Sequence, residues 1–187
     1  MGPRRGRGER ATGCVMTGKW IYERTADNAA RFVLGTVGAR PLVCVGVNPS
    51  TAAPGDPDLT VSKVAGFASL TGFDSWVMLN LYPQRSTDPK GMHLVPDLGL
   101  CAENERHVSD LIAGRPLTIL AAWGGLIRSR HYLPQLLASI VQVTDAAGCS
   151  WVSIGDLLKS GHPRHPSRAG YAMPLQSFDA ASYLRRI

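Results

Sequence analysis

The feature of this sequence that most constrains its fold is a short apolar run that stops abruptly at an Asn-Pro pair. Residues 41–47 are apolar and rich in β-branched side chains, and Asn48 and Pro49 follow directly. A run of this length that ends in turn residues predicts a buried strand entering a loop. Pro49 fixes its own φ and favours an extended Asn48, while Gly46 lets another backbone or a ligand come close. The pattern predicts a rigid turn that presents Asn48 at the carboxyl end of a strand, the alternative being an ordinary turn.

The rest of the chain alternates between helices and strands. Apolar residues at helical spacing predict helices, and short apolar runs between them predict strands. We expect strands at 41–47, 76–81, 117–122 and 150–154, helices at 58–70, 100–113 and 126–140 (kinked or split at Pro134), and a short C-terminal helix after Ser177. Residues 18–40 are interpreted as an opening hairpin or an extended segment. This alternation predicts an α/β fold with three α/β/α layers and a mostly parallel central sheet of about four strands.

Neither a linker nor an internal repeat divides the 187 residues, so residues 18–187 are expected to form a single domain. Residues 1–17 are basic and Gly-rich, which predicts a disordered tail. This tail either scans a phosphate backbone or reflects an upstream choice of start, since Met16 could also begin the protein. The formal net charge of +6 favours an anionic partner such as a nucleic acid, a nucleotide or phosphate.

The sequence does not support several other classes of protein. No run approaches the roughly 20 apolar residues of a membrane span, and the basic N-terminus lacks the apolar segment of a signal peptide. The four cysteines are scattered without CxxC spacing, so neither a zinc site nor a disulfide framework is indicated. We therefore expect a cytoplasmic protein without metal, cofactor or membrane partner, and a monomer.

Polar clusters follow three of the predicted strands. The first cluster is Asn48 and Ser50, the second is Asn80 with Arg85 and Asp88, and the third is the His- and Arg-rich segment 162–168. Because the carboxyl ends of parallel strands share one edge of a sheet, these loops can meet in one crevice. Amides can read base edges, an imidazole can stabilise a developing anion, and guanidiniums suit phosphate. The alternatives are that the Asn residues only form turns and that His-Pro-x-His-Pro is only a stiff loop.

A series of short motifs resembles an uncharacterised bacterial domain family. The motifs are N-P-S-T-A at 48–52, a looser D-P-x-x-T at 56–60, N-L-x-x-x-R-x-T-D-P at 80–89, A-W-G at 122–124 and G-x-P-R-H-P at 161–166. Residues 46–50 and 165–167 are in addition similar to two motifs of the uracil-DNA glycosylase superfamily, G-x-N-P-G/S and the start of H-P-S-P.

The resemblance to the glycosylases implies a uracil-DNA-glycosylase-like fold and a set of residue roles. Asn48 would orient the attacking water at the anomeric carbon, Asn80 would hydrogen-bond the base edge, and His165 would stabilise the departing base. A base inside a duplex would first be flipped out. The other candidate substrate-binding residues are Gly46, Pro49, Ser50, Arg85, Asp88, His162, Arg164, Ser167 and Arg168.

The chain also departs from the glycosylase pattern. Asn48 replaces the activating Asp of the uracil-specific branch, and H-P-S-R replaces H-P-S-P. We expect a glycosylase that hydrolyses an N-glycosidic bond of a base in nucleic acid, or in a nucleoside or nucleotide. One alternative is a small-molecule hydrolase or transferase that acts on a nucleotide-like substrate. The other is a non-catalytic module that binds nucleic acid.

Overall fold

The computed structural model describes residues 19–187, which form an α/β fold around one seven-stranded mixed sheet. The strands are β1 (Trp20–Arg24), β2 (Arg31–Thr36), β3 (Pro41–Gly46), β4 (Ser75–Asn80), β5 (Thr118–Ala121), β6 (Ser150–Ile154) and β7 (Leu175–Ser177), in the spatial order β1-β2-β4-β3-β5-β6-β7. The predicted disordered tail, residues 1–17, lies outside the described residues.

The sheet corrects the expectation of about four mostly parallel strands. The pairs β3–β4, β3–β5 and β5–β6 are parallel, whereas β1–β2, β2–β4 and β6–β7 are antiparallel. The sequence left residues 18–40, which contain β1 and β2, as either a hairpin or an extended segment, and it missed β7 because that strand has only three residues. The expected mostly parallel sheet of uracil-DNA-glycosylase type is therefore wrong.

Four α-helices connect or follow the strands: α1 (Leu59–Leu70), α2 (Leu98–Ile112), α3 (Leu133–Ala146) and α4 (Ala180–Leu184). Asp58 begins α1 as its N-cap, because its side chain accepts a hydrogen bond from the Val61 N–H at 2.8 Å. Pro134 stands in the first turn of α3, where a proline costs no helical hydrogen bond. The helix expected at 126–140 is thus divided into a short 3-10 helix, Gly124–Arg128, and α3.

The core lies on both faces of the sheet, and β3 contributes to both. Leu42 and Cys44 pack on the face covered by α1, while Val43 and Val45 pack on the face covered by α2, α3 and α4. Successive side chains of a strand point to opposite faces, and helices cover both faces here, so all four side chains are fully buried. Burial of each aliphatic side chain of this kind contributes about 1.5–3 kcal/mol. The carboxyl end of β3 is therefore held by packing on both sides, which gives a rigid base to the loop that follows.

Within residues 19–187, none of the helices combines the length and the apolar character that crossing a membrane requires.

Candidate functional site

A cleft of about 370 Å³ lies at the carboxyl ends of β3 and β4. These strands are parallel neighbours, and Gly46 is in register with Asn80, so the two strands end side by side. The loop after β3, the start of α1, the loop after β4 and the segment around His165 form most of the rest of its lining, to which β2 adds Arg31. This arrangement brings together polar residues that are far apart in the sequence, in a volume typical of small-ligand sites, about 300–1,000 Å³.

Asn48 lines the cleft with its amide in a fixed orientation. Its Nδ2 donates to the carbonyl oxygens of Ser86, at 2.9 Å, and Pro49, at 3.1 Å. Because both amide protons are directed to backbone carbonyls, the free hydrogen-bonding capacity of Asn48 is at its Oδ1. That oxygen has no hydrogen-bond partner within the described chain, so it can accept a hydrogen bond from a ligand or a water molecule.

Asn80 also lines the cleft and is 1% exposed. Its Nδ2 is buried without a hydrogen-bond partner among residues 19–187. A buried amide left unpaired costs about 1–3 kcal/mol, so native proteins rarely keep one without a reason. Gly46 permits this placement, since a Cβ at that position would lie 3.1 Å from Asn80 Oδ1. The amide of Asn80 is therefore available to a ligand and held against the backbone of the neighbouring strand.

His165 contributes an imidazole to the same cleft. Its Nδ1 accepts a hydrogen bond from the Ser167 N–H at 3.4 Å, and Ser167 Oγ lies 2.8 Å from the same nitrogen. An accepting Nδ1 assigns the proton of the neutral ring to Nε2. Burial lowers the pKa of His165, and Arg168 lowers it further, while Asp58 partly offsets both effects. At neutral pH the ring is therefore an uncharged Nε2–H donor.

The segment that carries His165 is attached to α1. Its 3-10 helix, Pro166–Arg168, packs on α1, and Lys63 Nζ donates to the Ala169 carbonyl at 2.9 Å. Gly124 adopts a positive φ of 56°, and its position would bring a Cβ to 3.7 Å from the His165 Cβ. The His165 segment is thus fixed between α1 and the turn that follows β5.

His162 lies elsewhere, in the core beside Tyr183. It is 3% exposed, and its Nδ1 lies 2.7 Å from the Tyr183 hydroxyl, which in turn accepts from Trp123 Nε1 at 3.0 Å. The hydroxyl and His162 Nδ1 share one hydrogen bond, and the tautomer of the imidazole sets which of the two is the donor. Burial, with a further contribution from Arg128, lowers the pKa of His162. The structure therefore separates the two histidines of the HPRHP segment, although the sequence placed both at the site.

Arg85 lies behind the cleft wall and holds the loop that follows β3. Its guanidinium donates to the carbonyls of Ser50 and Ala52 and to the Tyr22 hydroxyl. Asp88 is exposed and accepts from the Lys90 N–H. Of the remaining predicted site residues, the cleft lining includes Gly46, Ser50 and Ser167 and leaves out Pro49, Arg164 and Arg168.

The sequence did not identify Arg31 and Asp58 as site residues, yet both line the cleft. Arg31 is 2% exposed, and its Nη1 donates to the Ala52 carbonyl at 3.0 Å. Burial, with a further contribution from the charge of Arg85, lowers the pKa of Arg31 to about 10, although Asp58 partly offsets the fall. The available signal for Arg31 was a charged residue at the head of an apolar strand. Asp58 appeared in the sequence only at the start of the helix predicted at 58–70 and within the looser motif at 56–60.

Asp58 lines the cleft and interacts electrostatically with two other residues that line it. Its charge opposes the lowering of the pKa of both Arg31 and His165. A carboxylate in a cleft that also contains a partly buried imidazole and the side-chain amides of Asn48 and Asn80 is able to position or deprotonate water. No group of three or more His, Cys, Asp or Glu side chains within residues 19–187 is arranged to hold a metal ion.

Comparison with known proteins identifies a family for this domain. The model of a family described as "Protein of unknown function (DUF1643)" matches residues 31–167. The chain belongs to the DUF1643 family. Arg31 and Ser167, the first and last residues of the matched DUF1643 segment, are also the first and last residues that line the cleft.

Membership of an uncharacterised domain family is thereby confirmed for this DUF1643 chain. Nothing in the comparison links the family to the uracil-DNA glycosylase superfamily or to the motifs described above. The search of curated proteins and the search of solved structures gave no match.

Proposed function

We propose that this DUF1643 protein hydrolyses the N-glycosidic bond of a base in nucleic acid or in a nucleoside or nucleotide. The observation that carries the proposal is the buried, unpartnered amide of Asn80, which lines the same cleft as Asn48, Asp58 and His165. An amide has a donor and an acceptor side, as the edge of a nucleobase has. The short motif likeness to the glycosylases supports the same assignment. A cytoplasmic location belongs to this proposal as well.

The chemistry assigned to the cleft requires stabilisation of charge on both sides of one bond. When the bond between the anomeric carbon and the base nitrogen breaks, its electron pair leaves with the base and positive charge develops on the sugar. His165 supplies an Nε2–H donor to the base as negative charge grows there. The Asp58 carboxylate stabilises the sugar cation.

Water completes the reaction at the anomeric carbon. Asn48 Oδ1, which has no other hydrogen-bond partner among residues 19–187, accepts a hydrogen bond from one O–H of the attacking water and so orients it, and that proton stays on the new sugar hydroxyl. The water oxygen bonds to the anomeric carbon, and its second proton passes to Asp58. The departing base takes up a proton from solvent. Asp58 in this proposal supplies the carboxylate that position 48 lacks.

A second candidate is a hydrolase or transferase that acts elsewhere on a nucleotide-like substrate. The observation that favours it is the buried charge of Arg31 in the cleft wall, because guanidinium groups recognise phosphate. In this second candidate the substrate is again nucleotide-like, but the bond that is broken is not the N-glycosidic bond.

Mass spectrometry of reaction products distinguishes the two candidates. The full chain is incubated with oligonucleotides that carry natural and modified bases, in single- and double-stranded form, and with free nucleosides and nucleotides. Release of a free base by the wild type, lost in His165→Ala and retained in Arg40→Gln, supports the glycosidase. Arg40 is an exposed residue just before β3, at the opposite end of that strand from the cleft, so its substitution is a control for loss of charge. Loss or transfer of phosphate with the base–sugar bond intact supports the second candidate and contradicts the first.

A further inference from the structure

Two guanidinium groups meet at one backbone carbonyl beside the cleft. Arg31 Nη1 donates to the Ala52 oxygen at 3.0 Å, and Arg85 approaches the same oxygen with Nη1 at 3.4 Å and Nη2 at 3.3 Å. Within residues 19–187, no carboxylate oxygen lies within 4.0 Å of either group. Asp58 is the one acidic residue among the described residues that line the cleft, and it shares the lining with Arg31, while Arg85 lies behind the wall.

The hydrogen bonds and charges around Arg31 among residues 19–187 do not compensate for the burial of its guanidinium. Its side chain is 2% exposed, and its Nε is buried without a hydrogen-bond partner in the described part of the chain. A buried charge is stable when it is paired and its donors are used. Arg31 has five N–H donors, and the described structure uses one of them, at Ala52. An anion in the cleft would supply both the missing charge and the missing acceptors.

The start of α1 adds donors of the same kind. The N–H groups of the first residues of a helix have no partner inside it, and the helix dipole makes this end positive. Asp58 takes the N–H of Val61, which leaves those of Leu59 and Thr60 without a partner in residues 19–187. Both residues line the cleft with Arg31. A 12-residue helix and a buried guanidinium thus converge on one volume.

We propose that Arg31 and the N-terminus of α1 form a subsite for the terminal phosphate of a nucleotide-sized substrate. The inference rests on the proposed function and names its substrate class, a nucleoside monophosphate rather than a nucleoside. The burial of Arg31 favours a terminal phosphate, because the phosphodiester of a strand must continue on both sides of the contact. Arg85 is a positioning residue that holds the Ala52 carbonyl and adds its charge.

The binding test uses the full chain and does not depend on turnover. Backbone and arginine side-chain NMR signals are followed while inorganic phosphate is added to the wild type. We expect shifts at the N–H groups of Leu59 and Thr60 and at Arg31 Nε–H. The affinities of the common nucleosides and of their 5′-monophosphates are then measured by calorimetry. Each monophosphate is expected to bind about 10- to 100-fold more tightly than its nucleoside, the factor for hydrogen bonds to a charged group.

Substitutions of Arg31 test whether the difference in affinity between monophosphates and nucleosides comes from the proposed subsite. Arg31→Gln should remove the preference for the monophosphate, whereas Arg40→Gln should retain it. If Arg31→Gln fails to fold, Arg31→Lys keeps the charge but loses the planar fork, and the preference should fall by about 10-fold. Equal affinity of nucleosides and monophosphates for the wild type would overturn the proposal. So would phosphate shifts confined to other residues, or Arg31-dependent binding of oligonucleotides that lack a terminal phosphate.

Base release measured in the same samples separates this inference from the proposed function. Monophosphates that bind through Arg31 without release of a base would contradict the glycosidase and leave the phosphate subsite standing. If nucleosides and monophosphates bind with equal affinity and both release a base, the result would contradict the phosphate subsite and support the glycosidase.

Discussion

Replacement of Asn80 by Ala should impair ligand binding while leaving the fold nearly unchanged. The Asn80 side chain makes no hydrogen bond within residues 19–187, and its Nδ2 is buried without a partner. Its removal therefore takes away no intramolecular hydrogen bond and relieves a desolvation cost of about 1–3 kcal/mol. The lost packing of one small side chain acts in the opposite direction. We expect the free energy of unfolding to change by no more than about 1 kcal/mol.

Asn104 provides a matched control, because it is a second buried asparagine that contacts the same strand end. It is 4% exposed, and its Nδ2 donates to the carbonyls of Asn80, at 2.9 Å, and Leu81, at 3.3 Å. Asn104→Ala leaves those buried carbonyls without this donor, so we expect a loss of about 1–3 kcal/mol in the free energy of unfolding. Binding of ligand should change little once the protein is folded.

Urea unfolding followed by tryptophan fluorescence measures the free energy of unfolding. Calorimetry with the best ligand from the product screen measures the affinity for ligand. Asn80→Ala should weaken binding by about 1–3 kcal/mol, or roughly 5- to 150-fold. The reasoning is refuted if Asn80→Ala destabilises the fold as much as Asn104→Ala does and binds ligand as the wild type does. Asn80 would then be a structural residue at a strand end.

Three further predictions concern the histidines and Gly46. His165→Ala should lower the rate of base release by about 100- to 1000-fold with little change in melting temperature. His162→Ala should instead lower the free energy of unfolding by about 1–3 kcal/mol, because it removes the hydrogen bond to Tyr183. Equal effects of the two substitutions on single-turnover rates would contradict this assignment. In the folded protein the pKa of both histidines lies below the usual value, so the unfolded chain binds more protons. The free energy of unfolding measured in urea should therefore fall as the pH drops below about 6.5. The His162→Gln variant should show a smaller fall, and an unchanged dependence of stability on pH would exclude His162 as a cause. Gly46→Ala should weaken binding by displacing the Asn80 amide, which a Cβ would approach to 3.1 Å; calorimetry showing wild-type affinity would exclude that displacement.

Local patterns predicted the central elements of the fold but not its edges. The apolar runs that became β3, β4, β5 and β6 are buried and end in turn residues, which makes them recognisable in sequence. The hairpin of β1 and β2 remained an open choice, and β7 was missed. Pairing direction is set by the spatial neighbour of a strand: β2 pairs antiparallel with β4, which is not next to it in the sequence, and β7 turns back antiparallel on β6. No local pattern carries that information.

The same limit applies to the candidate site. Asn48, Asn80 and His165 could be predicted because each occupies a strand end or a Pro-rich loop, where side chains reach the edge of a sheet. Arg31 could not, because an arginine at the head of a strand gives no sign of which loop it will face. His162 was placed at the site because it lies close to His165 in the sequence, yet its side chain is buried against Tyr183.

Asp58 connects the separate parts of the cleft into one electrostatic unit. It caps α1, so it fixes the position of the Leu59 and Thr60 N–H groups. Its charge opposes the lowering of the pKa of both Arg31 and His165. A carboxylate in the cleft therefore favours the charged form of each of these two residues. The residue that appeared in the sequence as a helix cap is therefore the group that couples the proposed phosphate subsite to the proposed proton chemistry.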